Sequence, residues 1–212
     1  MGADNADPFD ALALAADTIP VALSASALDR CRGYVATLLL WRRRLSLTSA
    51  KTAREIVFDH VLDSLSVAPF IKPGYRVADI GSGAGFPGVP LAIACPDADF
   101  VLVESRRKKA NFLRDVARRV DLANVEIAEK RAEELIGLLL PFDLVVSRAL
   151  GPLRDFLGLA TTLVKHGGLV IAMKGPKGRS ETLAHADFTA AEVVEYQLPG
   201  GARHFLFTYQ RR

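Results

Sequence analysis

Short apolar runs that alternate with helical segments from Tyr75 onward limit this chain to very few folds. The runs are apolar along their whole length, as strands buried on both faces of a sheet are. Strands that alternate with helices predict a parallel sheet with helices packed on both sides. We expect strands at 76–80, 100–105, 124–130, 142–149 and 168–174, and helices between them at 89–95, 107–121, 131–139 and 153–164.

The last two strands are expected at 193–198 and 204–209, joined by Pro199-Gly200-Gly201. A connection this short permits an antiparallel hairpin at the edge of the sheet. The fold class predicted is therefore α/β, with a mostly parallel, seven-stranded, Rossmann-like sheet.

The chain upstream of the first strand is expected to form two further parts. Residues 1–23 are rich in alanine and aspartate and predict a mobile acidic tail with at most a short helix. Residues 24–72 predict a helical extension, with one helix from about Ser26 and a second from about Thr52 to Ser66. The sheet domain should then span 73–212.

Charge is distributed unevenly along the chain. Of its 24 acidic residues, five lie in 1–29 with no lysine or arginine, which leaves 19 acidic against 27 basic residues and a balance of +8 for the remainder. A basic body of this size favours a polyanionic partner.

Cysteine usage and hydropathy indicate the compartment. The two cysteines and four histidines show no metal-binding spacing, so we expect no metal site. Few cysteines are typical of a reducing compartment. No apolar stretch approaches the roughly 20 residues that span a bilayer, and the N-terminus does not have the pattern of a signal peptide. We therefore expect a cytoplasmic protein without membrane contact, and a monomer.

The segment DIGSGAGFPG (79–88) directly follows the first core strand and precedes a helix. Glycines at such a turn let the backbone bend sharply and approach a ligand closely. One interpretation takes Gly83 to Gly88 as the G-x-G-x-x-G of a dinucleotide site, with Glu104 about twenty residues later on the ribose. The other takes Asp79-x-Gly81-x-Gly83-x-Gly85 as the functional spacing, which fits S-adenosylmethionine.

The acid at Asp79 favours the second interpretation. A pyrophosphate held at a helix N-terminus would be repelled by a carboxylate beside it. S-adenosylmethionine has no phosphate and carries a sulfonium, so a nearby acid is tolerated or helpful. The glycine loop therefore predicts S-adenosylmethionine as the cofactor, with Gly81 and Gly83 in contact with it.

Three other candidate residues follow the ends of strands, where ligands bind in open α/β folds. Glu104 closes the second strand and can accept hydrogen bonds from both ribose hydroxyls. Glu133 follows the third strand and either fixes the adenine edge or only complements a helix dipole. Arg148 ends the fourth strand, and an arginine in an apolar run is costly unless it is paired. Its partner should be the cofactor's methionine carboxylate or an RNA phosphate.

Six segments together carry a resemblance to a known family: HVLDSL (60–65), DIGSGAGFPG (79–88), VESRRKKANFL (103–113), RAEEL (131–135), VVSRA (145–149) and IAMKG (171–175). From about Tyr34 to the C-terminus the chain resembles the bacterial 16S ribosomal RNA guanine-N7 methyltransferases, also called glucose-inhibited division protein B. The resemblance implies a class I methyltransferase fold and 16S ribosomal RNA or the small ribosomal subunit as partner. It also implies cofactor contacts at Gly81, Phe86, Ala132, Glu133 and Arg148. The chain departs from the family pattern at Arg42 and Ser46, where the family has asparagine.

The implied reaction needs no general base, because N7 of neutral guanine carries a lone pair and no proton. We therefore expect no catalytic acid or base. His60 is the one tempting candidate, but a histidine among apolar helical residues more often packs or caps. The alternatives are a methyltransferase acting on a protein or small molecule, and a ribosome-binding factor without activity.

Two groups of basic residues are candidates for holding RNA phosphates. The helical patch comprises Arg106, Arg107, Lys108, Lys109, Arg114, Arg118 and Arg119. The N-terminal patch comprises Arg42, Arg43, Arg44, Lys51 and Arg54. Lys174, at the end of the fifth strand, is a further candidate.

Overall fold

The structure is a computed structural model that describes residues 7–15, 21–138, 141–148, 151–176, 184–189, 192–199 and 201–212. Ala149 at the end of the expected fourth strand and Gly200 in the expected turn lie outside the described residues. No helix in the described ranges is both long enough and apolar enough to span a membrane.

In the described residues, seven strands form one sheet in the order β3-β2-β1-β4-β5-β7-β6. Their bounds are β1 Arg76–Ile80, β2 Asp99–Val103, β3 Val125–Ala128, β4 Phe142–Arg148, β5 Val164–Lys174, β6 Glu192–Gln197 and β7 Arg203–Gln210. The first five strands pair in parallel. Strand β7 is antiparallel to both β5 and β6. The predicted mostly parallel sheet with an antiparallel edge hairpin is thus confirmed.

Strand β5 starts four residues before the predicted start at 168. The register between β4 and β5 jumps from Phe142↔Val164 to Leu144↔Leu169, so the chain bulges between these pairs. The bulge carries the exposed segment Lys165-His166-Gly167. These polar residues interrupt the apolar pattern, which is why the sequence did not indicate the start of the strand.

The helices are α1 Pro8–Ala15, α2 Ala25–Trp41, α3 Ala53–Ile56, α4 Leu62–Leu65, α5 Gly88–Ala94, α6 Arg107–Arg119 and α7 Leu153–Leu163. A π-helical turn at Val57–Val61 joins α3 to α4, so the expected second helix is continuous but locally widened. The prediction of a helix at 131–139 was wrong: within the described residues 131–138 only a 3₁₀ turn, Ala132–Leu135, forms, and residue 139 lies outside the described residues. Gly137 has φ 75°, a left-handed conformation that a continuing helix cannot contain.

Successive strand residues point to opposite sides of the sheet, and both sides are covered. Val77 and Phe100 belong to the larger core cluster, which also contains apolar side chains of α2, α5 and α6. Ala78 and Val101 belong to the second cluster, packed beneath α7. This burial on both faces leaves the carboxyl ends of the parallel strands as the edge at which a ligand can be held.

Part of the segment expected to be an acidic tail is folded. Helix α1 buries Phe9 and Leu12 in the larger core cluster. Asp7 pairs with Arg32 of α2 at 2.9 Å. The division of the chain at residues 23 and 72 stays a prediction.

Candidate active site

The loop after β1 has a backbone that requires glycine. Gly81, Gly83 and Gly85 have φ values of 75°, 55° and 97°, a region that other residues enter only with strain. A Cβ atom on Gly85 would lie 2.8 Å from Cγ2 of Val89. The amides of Gly81 and Ser82 donate to the Val103 carbonyl at 2.9 and 3.0 Å, which fixes the loop to the end of β2.

Asp79 lies beneath this loop and is fully buried. Its Oδ2 accepts a hydrogen bond from the Gly88 amide at 3.0 Å, at the start of α5. Within the described residues its Oδ1 has no hydrogen-bond partner. Burial raises the pKa of this carboxyl to about 7. Because Asp79 does not line the cleft described below, its role is to hold the loop against α5.

Glu104 is fixed at the end of β2, with 7% of its surface exposed. Its Oε2 accepts from the Gly83 amide at 3.1 Å, and its Oε1 accepts from the Arg106 amide at 2.7 Å. Each carboxylate oxygen can accept a second hydrogen bond. The side chain is therefore held in one orientation and can still bind two neighbouring hydroxyl groups.

A cleft of about 360 Å³ opens beside Glu104, at the carboxyl ends of the strands. This volume is in the range of small-molecule sites. The cleft brings together Gly81, Glu104, Ala132 and Glu133, which were all expected to contact the cofactor. Its other lining residues are Ile80, Val103, Ser105, Lys130, Arg131, Gly151, Pro152, Asp155, Phe156 and Leu159. The lining combines apolar with charged side chains, and Glu104 is the buried carboxylate among them.

Phe86 and Arg148, also expected to contact the cofactor, belong to a neighbouring group of side chains instead of to the lining of this cleft. The Phe86 ring packs against Tyr34 and His60, with centroid distances of 5.5 and 4.8 Å. The Arg148 guanidinium lies over the same ring at 5.9 Å. Tyr34, from α2, donates to the Ala84 carbonyl at 2.7 Å and so ties the N-terminal helices to the glycine loop.

Arg148 has an anionic partner within the chain, which the sequence interpretation did not include, and its expected contact with the cofactor stays a prediction. Its Nε lies 3.2 Å from Oδ2 of Asp63. Its Nη2 donates to the Asp59 carbonyl at 3.2 Å and lies 2.9 Å from Nδ1 of His60. Its Nη1 is buried and has no hydrogen-bond partner among the described residues.

His60 is a structural participant in this group. Nδ1 of His60 lies 2.9 Å from both Nη2 of Arg148 and the Asp59 carbonyl. Because a guanidinium can only donate, a hydrogen bond from Arg148 requires the tautomer in which Nδ1 accepts and Nε2 carries the proton. The Nε2 lies 2.8 Å from Oγ1 of Thr48. Burial, together with the positive charge of Arg148, lowers the pKa of His60, so the ring stays neutral at pH 7.

Asp63 is the residue at this site that the sequence interpretation missed. It is 2% exposed, and it contacts Arg148, Tyr196 and His204. Burial raises the pKa of Asp63, but the hydrogen bond from His204 and the charge of Arg148 outweigh burial and hold this pKa below its usual value. An aspartate within the apolar helical run VLDSL was a usable signal, since a buried carboxylate needs partners.

The helical patch divides into paired and unpaired residues. Arg114 pairs with Glu129 at 2.7 Å, and Arg118 and Arg119 each pair with Asp115 at 2.8 Å. In the part of the chain that the structure describes, no ion pair or side-chain hydrogen bond involves the side chains of Arg106, Arg107, Lys108 and Lys109. The Lys109 ammonium lies 3.8 Å from the position that a Cβ on Gly83 would occupy, so it borders the glycine loop.

In the N-terminal patch, Arg42 donates to the Lys51 carbonyl at 2.5 Å. Arg54 stacks on Phe58 at 4.9 Å. These two residues therefore contribute to local structure.

Comparison with known proteins gives a consistent family match. The family model described as "GidB: rRNA small subunit methyltransferase G" matches residues 27–206. The ribosomal RNA small subunit methyltransferase G of Xanthomonas axonopodis pv. citri (strain 306) is 40% identical over 176 residues, which are 82% of each chain. The protein of the same name from Xylella fastidiosa (strain M23) is 39% identical over 181 residues, 84% of each chain.

Solved structures with this fold are more distant in sequence. The O-methyltransferase TomG from Streptomyces achromogenes, in complex with SAM, has a TM-score of 0.62 at 18% identity, covering 95% of this chain and 96% of that one. Cofactor-bound Rv0187 from MTB has a TM-score of 0.62 at 20% identity, covering 99% and 100%. At this identity the likeness is one of fold, that of Rossmann-like methyltransferases.

Proposed function

The chain belongs to the rRNA small subunit methyltransferase G family, and from this premise we propose that it transfers a methyl group from S-adenosylmethionine to N7 of a guanine in 16S ribosomal RNA. The observation that carries the proposal is the family match over residues 27–206, a range that contains every residue lining the cleft. The alternative substrates, a protein or a small molecule, have no comparable support.

The residues of the site fit S-adenosylmethionine. Glu104 would accept hydrogen bonds from the two ribose hydroxyls, and Ala132 with Glu133 would border the adenine. The backbone of Gly81 and Gly83 would lie against the cofactor where a side chain would obstruct it. The buried, unpartnered Nη1 of Arg148 is a donor that a carboxylate would satisfy. When bound, the cofactor supplies an electrophilic methyl group on its sulfonium.

Alignment is the contribution that the chain makes to the reaction. Since N7 of guanine has a free lone pair, no side chain has to remove a proton, and His60, with both ring nitrogens engaged, has no such role. The rigid loop after β1 and the fixed Glu104 hold one reactant in a single orientation. Orientation of this kind can lower a barrier by about 7–11 kcal/mol. The target base has to leave its stack, which costs a few kcal/mol.

The proposed function predicts one specific change in ribosomal RNA. In cells that lack the protein, 16S ribosomal RNA should lose N7-methylation at a single guanine, measured by mapping of N7-methylguanine. Purified protein with methyl-labelled cofactor should restore the label in small subunits or in their naked RNA. Unchanged methylation in the deleted strain, with label appearing in a protein or a metabolite, would contradict the proposal.

The surface that holds the RNA is proposed to be the unpaired part of the helical patch. Its four residues precede or occupy the first turn of α6, where the positive end of the helix dipole opposes them. Basic residues at this end do not stabilise the helix. Their presence is consistent with a surface that binds phosphates. Lys109 places this surface beside the glycine loop, next to the cleft.

This surface makes a prediction with a control on the same helix. The double change Arg107→Gln with Lys108→Gln should weaken binding to the RNA substrate about tenfold. The number of phosphate contacts, obtained from the slope of log affinity against log salt concentration, should fall by about two. Arg118→Gln with Arg119→Gln removes the same charge from residues that already pair with Asp115, and should change RNA binding little. Binding is measured by fluorescence anisotropy at several salt concentrations. Equal losses in both variants would show a net-charge effect and exclude this surface.

A further inference from the structure

A buried carboxylate joins α4 to β4 and to the C-terminal hairpin. Asp63 of α4 is 2% exposed, and its Oδ2 pairs with Nε of Arg148, at the end of β4. Its Oδ1 accepts from the Tyr196 hydroxyl of β6 at 2.6 Å and lies 2.8 Å from Nδ1 of His204 of β7. Charged groups are buried only when they are paired and hydrogen-bonded, and Asp63 meets this condition with three partners.

The contacts of Arg148 leave one of its nitrogens unused. Nε is held by Asp63, and Nη2 is held by the Asp59 carbonyl and by Nδ1 of His60. One face of the guanidinium lies against the Phe86 ring. Nη1 is buried without a partner in the described residues. A buried donor without an acceptor is rare in folded proteins, and a bound carboxylate would supply the acceptor.

The sheet order places this nitrogen beside the glycine loop. Strand β4 pairs with β1, and Oγ of Ser147 donates to the Ile80 carbonyl at 2.8 Å, directly before the loop. Glu104 lies on the other side of the loop, at the end of β2. A molecule with its ribose on Glu104 would extend across the loop toward Arg148. Because Nη1 is buried, a small carboxylate can approach it more readily than a phosphate of a folded RNA.

We propose that Asp63 and His60 are positioning residues, which hold Arg148 so that its Nη1 receives the carboxylate of the cofactor's methionine part. This inference rests on the proposed function, since it assumes S-adenosylmethionine at the site. Asp63 fixes the guanidinium from the Nε side, and His60 fixes it from the Nη2 side. The rotation that would take Nη1 away from the glycine loop is thereby blocked.

The test compares two ligands that differ in this carboxylate. S-adenosylhomocysteine contains the amino-acid part, whereas 5′-methylthioadenosine has the adenosine and sulfur without it. Asp63→Asn should weaken binding of S-adenosylhomocysteine about tenfold and leave 5′-methylthioadenosine within about twofold, measured by calorimetry. In turnover assays, KM for S-adenosylmethionine should rise by the same factor with kcat nearly unchanged.

Matched variants keep the test informative if Asp63→Asn folds poorly. His60→Leu removes the acceptor for Nη2 and should lower the affinity ratio of the two ligands, whereas His60→Gln retains an acceptor and should restore the ratio. Tyr196→Phe removes a donor from Oδ1 of Asp63 without touching Arg148, and should leave the ratio unchanged. Thermal unfolding confirms that each variant is folded.

Two outcomes would overturn the inference. Equal weakening of both ligands by His60→Leu would show a general disturbance of the cleft, and unchanged binding of both with loss of RNA binding would assign Arg148 to a phosphate. Failure of the proposed function looks different. If the cofactor is another molecule, the unmodified protein binds neither ligand, and if the substrate is not 16S ribosomal RNA, both ligands bind as expected while the RNA is not methylated.

Discussion

Replacing Glu104 by glutamine should weaken binding of S-adenosylhomocysteine about 100-fold. Two charge-assisted hydrogen bonds to the ribose are lost or become neutral, and each contributes about 1.5 kcal/mol. Glutamine also has a single acceptor oxygen, whereas the carboxylate now accepts from the amides of both Gly83 and Arg106. Calorimetric titration of both proteins with the ligand measures the loss.

Glu133→Gln is the control for this prediction, since it makes the same chemical change at an exposed position on the same cleft. This change should weaken binding of S-adenosylhomocysteine less than about tenfold, because a hydrogen bond from an exposed side chain contributes less to affinity than one from a fixed, buried side chain. A ligand analogue with 2′-deoxyribose separates ribose binding from loop distortion. It should bind more weakly than the ribose form to the unmodified protein, and about equally to Glu104→Gln. If the variant discriminates between these ligands as well as the unmodified protein does, Glu104 does not bind the ribose.

The parts of the fold that the sequence predicted well depend on local patterns. Strand β1 occupies 76–80 as expected, because RVADI is short, apolar and followed directly by glycines. The turn at Pro199-Gly200-Gly201 correctly predicted the antiparallel pairing of β6 with β7. The glycine loop also indicated Glu104, since the acid at the end of the next strand lies at the same edge of a parallel sheet.

The parts that the sequence did not predict depend on contacts between distant segments. Asp63 and Arg148 are separated by most of the sheet in sequence, and their pairing arises only because α4 packs beside the end of β4. The apolar run around Arg148 showed that a partner was needed, but not that the chain supplied it. Likewise, which basic residues of the helical patch are paired depends on Asp115 and Glu129. The orientation of these two side chains follows from packing.

Gly88→Ala should lower the free energy of unfolding by about 3 kcal/mol. A Cβ at this position would lie 2.2 Å from Cδ2 of Leu102 and 2.7 Å from Oδ2 of Asp79. Both side chains are fully buried, so neither can move without disturbing the core. Displacing Asp79 would also break its hydrogen bond to the amide of residue 88. For a domain of this size the melting temperature should fall by roughly 6–12 °C.

Gly158→Ala is expected to change the stability of the protein in the opposite direction. Gly158 lies inside α7, and nothing approaches the position of its Cβ within 4 Å. Alanine there should stabilise the protein by about 0.5–1 kcal/mol, because glycine is a poor helix former. Thermal and urea unfolding of both variants measure the two effects. The close approach of α5 to β1 and β2 holds Asp79 under the glycine loop, so Gly88→Ala should also weaken cofactor binding, whereas Gly158→Ala should not. A Gly88→Ala protein as stable as the unmodified one would show that the loop is not packed against Asp79 in this way.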